Sequence, residues 1–151
     1  MAQQQVLFLD DLAVGEEFHS AEHSLTETQI NDFARQFDPQ PFHLDNAAAK
    51  ESFFQGLAAS GWHTAAITMK LLVSSLPLGS GIIGAGGEIQ WPRPTRPGDA
   101  LRVISKVLEI KPSRSKPDRG IVTVECLTRN QDGDVCQRME IRLLVMRRPE
   151  Q

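Results

Sequence analysis

At 151 residues and 16.7 kDa, with 40% hydrophobic and 23% charged residues, the chain has the size and composition of one globular domain with a substantial core, not of a disulfide-stapled miniprotein or a disordered tail. Sixteen Lys and Arg against nineteen Asp and Glu leave a net charge of -3 with no basic block or aromatic ladder, which argues against a nucleic-acid partner. No window reaches the ~18 apolar residues of a membrane span, and the start, Met1-Ala2-Gln3-Gln4-Gln5, lacks the basic-then-apolar layout of a signal peptide, so a cytoplasmic protein with no membrane partner is expected.

Residues 6–15 mix apolar side chains with Asp10 and Asp11 and read as an irregular arm, and residues 16–25 read as a first strand. Thr26 followed three positions later by Gln29 is a capping box, and Ile30, Phe33, Ala34 and Phe37 then recur at helical spacing. Pro39 and Pro41 end that helix, which predicts a stiff, extended loop over 38–43. Asp45 is placed to cap a short helix from Asn46 to about Phe53. Ser60 is the expected N-cap of the longest helical pattern, from Gly61 to about Leu76, where Pro77 stops it. Trp62, Ala65, Ala66, Ile67, Met69, Leu71, Leu72 and Val73 make that helix apolar on most sides, so it is expected to be enclosed by other structure.

Four strands follow, at 82–91, 101–110, 120–129 and 135–147, separated by Pro and Gly. One enclosed helix ahead of a long antiparallel sheet predicts an α+β domain, a single unit over 1–151, in which the sheet curls around the helix. Cys126 and Cys136 flank the turn Asp132-Gly133. A hairpin there sets Cys126 opposite roughly residue 139 and Cys136 opposite roughly 129, too offset for a disulfide, so both are expected reduced.

The densest chemistry is Asp38-Pro39-Gln40-Pro41-Phe42-His43-Leu44-Asp45. A carboxylate and an imidazole joined by a two-proline segment are held near each other at little entropic cost, which suits acid–base work. The plainer alternative makes Asp38 a cap after the first helix and His43 a loop residue. A metal site from Asp38, His43 and Asp45 lacks a second His or Cys nearby, and no cofactor is expected.

These residues resemble the signature of the MaoC-like dehydratases, the (R)-specific enoyl-CoA hydratases of hotdog fold: Asp, any residue, Asn, Pro, any residue, His, then a small residue six positions on, here Ala49. The resemblance continues at Gly61, placed as the family's helix-start glycine is, and at Arg93-Pro94-Thr95-Arg96-Pro97-Gly98-Asp99. It runs from about Phe18 to Val145. It implies addition of water to a trans-2-enoyl thioester of coenzyme A or of an acyl carrier protein, or the reverse, with Asp38 and His43 activating one water. A homodimer or higher homo-oligomer is implied as well.

Negative charge develops on the thioester oxygen as water attacks, so donors must face it. Gly61, at the start of a helix, offers a first-turn N–H with no intrahelical partner. With it, Ser60, Gln40, Trp62 and His63 are the candidate oxyanion or substrate contacts, although His63 also reads as a hydrogen-bonded structural group. Two departures stand out: Gln40 replaces the family Asn, and Ser60-Gly61 replaces a frequent His-Gly. Lys111, Arg114, Lys116 and Arg119 lie in a loop that reads either as a partner for the coenzyme A phosphates or as a solvated hairpin connection. The competing functions are a hotdog thioesterase, disfavoured because the segment from Gly61 to Leu76 holds no Asp or Glu, and a non-catalytic acyl-thioester binding protein.

Overall fold

Thr26 sets where the first helix begins. Its hydroxyl accepts the Gln29 N–H at 3.1 Å while Gln29 Oε1 accepts the Thr26 N–H at 3.3 Å, so two otherwise unpartnered donors are satisfied reciprocally. In the computed structural model, which describes residues 5–150, this helix is α1 (Glu27–Phe37); it turns Ile30 and Ala34 into the core. Met1, Ala2, Gln3 and Gln4, on which the signal-peptide expectation falls, lie outside the described residues, as does Gln151.

The expected first strand is in fact two short ones, β1 (Glu17–His19) and β2 (His23–Ser24), both antiparallel to β4 (Ala100–Pro112). Ser20 explains the interruption. Its Oγ, in place of a backbone carbonyl, accepts the Val103 N–H at 2.8 Å, while its own N–H donates to Val103 O at 2.9 Å.

The segment after α1 also departs from expectation. Pro41 opens a helical turn, α2 (Pro41–Leu44), instead of prolonging an extended loop, because a first-turn residue needs no N–H and proline's φ already suits a helix. Asp45 then caps α3 (Asn46–Lys50), accepting the Ala48 N–H at 3.0 Å; the helix stops short of Phe53. Ser60 caps α4 (Gly61–Ser75) through the Trp62 N–H at 3.2 Å, and the helix ends before Pro77.

The remaining strands are β3 (Ile83–Gln90), β5 (Arg119–Arg129) and β6 (Val135–Met146). The order across the antiparallel sheet is β1-β4-β5-β6-β3, with β2 beside β4. Thus β3 does not lie beside its successor; residues 91–99 carry the chain across to β4, and that crossing builds one wall of the site described below. Strand β5 alternates with period two, burying Val122, Val124, Cys126 and Thr128 on one face. That face, with Val103, Val107, Leu143 and Val145, shares one core with Ile67, Leu71 and Leu72 of α4. Each such side chain contributes roughly 1.5–3 kcal/mol on burial.

Helix α4 is enclosed only on this side. Trp62 and Val73, expected inside, are 61% and 57% exposed, because the elements of one chain cover the face turned to the sheet and leave the opposite stripe open. At the β5–β6 hairpin, Gly133 adopts φ +81°, which its turn requires. Cys126 faces Met139, and both cysteines are buried and unbridged. The basic loop after β4 lies at the end of that strand opposite to the crossing segment.

Candidate active site

Three pieces of chain meet around His43: the C-terminus of α1 with α2, the segment from Phe54 into α4, and the crossing segment from Trp91 to Thr95. His43 is 4% exposed. Its Nδ1 lies 2.6 Å from the carbonyl oxygen of Ala58. A carbonyl only accepts, so Nδ1 carries the proton and Nε2 is turned toward Asp38, whose Oδ2 is 3.2 Å away. Phe42 meets the imidazole edge to face at 4.6 Å, which further limits how the ring can turn.

Asp38 follows α1 directly, with its own N–H donated to Ala34 O at 2.9 Å. Burial opposes its charge. Hydrogen bonds from Gln40 and Ser60 and the adjacent His43 outweigh that opposition and hold the carboxyl below the usual carboxylate range. Gln40 donates from Nε2 to Asp38 Oδ1. Its extra methylene relative to asparagine is therefore used to reach the carboxylate two residues back. Ser60 is fully buried; its Oγ accepts from the Trp62 N–H while its proton serves Asp38.

Asp38 and His43 open onto a cavity of about 460 Å³, a size suited to a small-molecule ligand. Gly61 lies on its wall, and the indole of Trp91 packs on that glycine so closely that an added Cβ would come within 2.7 Å of the ring. Trp62 stands edge to face on Trp91 at 5.4 Å. The Trp91 N–H donates to Gln137 at 2.9 Å, and the buried Gln137 amide donates to Thr68 Oγ1 at 3.1 Å. Phe42, Phe53 and Phe54 form an apolar side of the cavity, and Thr64, bonded to Thr95 at 3.0 Å, is also part of its lining.

The candidate residues thus separate. Asp38, Gln40, His43, Gly61 and Trp62 line one cavity, whereas Ser60 lies behind it as a support for Asp38. His63 points the other way. Its ring stacks on Phe33 at 4.5 Å with the planes 4° apart, and its buried Nδ1 has no hydrogen-bond partner, so it is an aromatic packing group and not the hydrogen-bonded one expected. Burial and the nearby His23 push its pKa down to about 4.

Asp45, the third candidate metal ligand, is occupied in capping α3, and among the described residues no three of His, Cys, Asp and Glu are grouped to hold a metal ion. Burial, with Glu125, pushes the Cys126 thiol up to about 12, which leaves it no thiolate character near neutral pH. Trp91, Gln137 and Arg96 went unread as site residues in the sequence. Trp91, beside Pro92-Arg93-Pro94 at a strand end, carried a faint signal, but the role of the Ala58 carbonyl carried none, since any residue supplies a carbonyl.

Residues 11–130 match the family model described as the MaoC like domain. The chain is 61% identical to a MaoC-like dehydratase from Rhodospirillum rubrum, with a TM-score of 0.94 over 95% of this chain and 99% of that one. Its likeness to the unliganded (R)-hydratase PhaJ1 from Pseudomonas aeruginosa is 27% in sequence with a TM-score of 0.75, covering 93% and 86% of the two chains. The uncharacterized protein YdeM of Bacillus subtilis strain 168 is 36% identical over 126 residues, 82% of this chain and 87% of its own. The chain belongs to the MaoC-like dehydratase family, whose members have the hotdog fold described above, a curved antiparallel sheet around one long helix.

Proposed function

We propose that the protein is a hydro-lyase that adds water across, or removes it from, the 2,3 bond of an acyl thioester of coenzyme A or of a carrier protein. The single observation that carries this reading is the Asp38–His43 pair, 3.2 Å apart at the wall of an apolar cavity, with the imidazole oriented from behind by Ala58 O. The names of the R. rubrum dehydratase and the P. aeruginosa (R)-hydratase support the reaction class.

Because Nδ1–H is committed to Ala58, the contact between Nε2 and Oδ2 is a hydrogen bond when one proton lies between them. The pair therefore works as a unit holding one proton and one basic oxygen. In hydration, a water at the pair gives a proton to the Asp38 carboxylate as its oxygen bonds to C3. The Nε2 proton of His43 goes to C2, and the proton on Asp38 then returns to Nε2, so the site is restored and one water has been added. Charge developing on the thioester oxygen faces the Gly61 N–H at the positive end of α4. The aromatic walls exclude competing water and receive the acyl chain.

We also infer that the working form is a homodimer. Strand β3 ends the sheet with a free edge, and Trp62 and Val73 of α4 leave apolar surface uncovered, both features that a second copy hides.

Crotonyl-CoA and longer trans-2-enoyl-CoA thioesters test the reaction. Loss of conjugated-enoyl absorbance without release of free thiol is expected. Thiol release without hydration would assign a thioesterase, and binding without either a non-catalytic acyl-thioester protein.

A further inference from the structure

The carbonyl that orients His43 belongs to Ala58, on a stretch between α3 and α4 with no regular hydrogen-bonding partner strand. What holds that stretch is a side chain from the crossing segment. Arg96, half-buried, donates from Nη1 to the carbonyls of Gly56 at 2.8 Å and Leu57 at 3.2 Å, and from Nη2 to that of Phe54. Its own backbone N–H is fixed by Asp99 Oδ2 at 2.8 Å, so the arm is anchored at both ends. Next to it, Thr95 O accepts the Ala59 N–H at 2.9 Å.

These contacts bracket Ala58, whose carbonyl faces His43, and lead directly into Ser60, whose Oγ faces Asp38, and the Gly61 N–H. Among the described residues no carboxylate forms an ion pair with the Arg96 guanidinium. It donates to backbone carbonyls, an arrangement in which a planar fork of donors fixes a loop's shape and a lysine's single point of charge cannot. Resting on the function proposed above, we propose that Arg96 is a positioning residue: it holds residues 54–58 so that the Ala58 carbonyl locks the protonated Nδ1 of His43 and directs Nε2 at Asp38.

The test is Arg96→Lys, read by two measurements. With crotonyl-CoA, kcat falls roughly 10- to 100-fold, the scale expected when a reacting group is displaced by a fraction of a bond length to an ångström, while KM stays within about threefold. In the free protein, nitrogen NMR of His43 shows a sharp, exchange-protected Nδ1–H in the wild type, and that signal broadens and loses its protection in the variant. Exogenous guanidinium restores activity to Arg96→Ala. Should the alanine variant not fold, Gly56→Ala takes its place, because a Cβ there would lie 3.3 Å from Nη1 and press the guanidinium aside by a few tenths of an ångström without removing it; it shifts the same signals in the same direction by a smaller amount.

A purely structural arginine would lower the melting temperature yet leave kcat per folded molecule within about twofold and the His43 Nδ1–H signal unchanged, and that pair of results would overturn the proposal. The NMR measurement needs no turnover. A wild-type chain that hydrates no enoyl thioester therefore sinks the proposed reaction, whereas an unaltered imidazole spectrum in Arg96→Lys sinks the role of Arg96.

Discussion

Asp38 stays ionised in a mostly enclosed position because Gln40, Ser60 and His43 each offer it a proton or a positive edge. Of those three neighbours His43 is read from sequence spacing, Gln40 from the resemblance as a candidate substrate contact, and Ser60 both as a helix cap, which it is, and as a candidate substrate contact, whereas it lies behind the cavity. That a carboxylate and an imidazole share this segment is legible in the order of residues; that they meet is not, because it takes the helical turn opened by Pro41, in place of an extended loop, to bring His43 back to Asp38. The orientation of that imidazole is not legible, because it depends on a backbone carbonyl fifteen positions on.

His63 shows the opposite failure: a histidine two residues after the helix-start glycine suggests chemistry, and burial, with His23 nearby, keeps it a neutral ring stacked on Phe33. Its folded pKa of about 4 lies below the ordinary value of 6.5. Between those values the unfolded chain takes up a proton that the folded one refuses, so stability present above pH 6.5 is lost as pH falls toward 4. His63→Phe keeps the stacked ring and removes this loss, with a gain on the order of 2 kcal/mol at pH 4 to 5. Chemical denaturation at pH 5 and pH 7.5 checks it; equal differences from wild type at both would contradict the assignment.

At the scale of elements, the capping box of α1 and the caps of α3 and α4 stand as read, because each is a short-range contact between residues close in sequence. The segment after α1 was misjudged for a physical reason. Proline forbids continuing a helix but favours starting one, and Pro41 does the second.

The hydrogen bonds from Trp91 through Gln137 to Thr68 join the start of the crossing segment, β6 and α4, and such long-range pairings carry no local signature. Gln137 is fully buried with both ends of its amide occupied. Gln137→Met leaves the Trp91 N–H without its acceptor, at a cost of roughly 1–3 kcal/mol. With Trp62→Phe as background, Trp91 is the remaining tryptophan, and its emission is expected to shift in the double variant. Unchanged stability together with unchanged emission would show that the bond holds nothing in place.

For the whole molecule, composition and the four-strand texture sufficed for an α+β domain with a sheet curled on one helix, because periodicity reports which side of each element is buried. Strand order did not follow from that. Placing β3 beside β6 depends on the path of residues 91–99, and it is this path that brings Trp91, Thr95 and Arg96 to the site and leaves β3 with an open edge. Light scattering is expected to give twice the 16.7 kDa chain mass, and Ile83→Lys, a charge on that edge where Ile83 is 43% exposed, is expected to shift the protein toward monomer. A wild-type monomer at all working concentrations would remove the second copy.

The proposed chemistry stands on the Asp38–His43 pair. Hydration of crotonyl-CoA by Asp38→Asn and by His43→Ala, each verified as folded, measures it directly: both are expected to lose roughly 10²- to 10⁴-fold in kcat. Rates within about twofold of wild type in both variants would mean that the reaction is carried elsewhere.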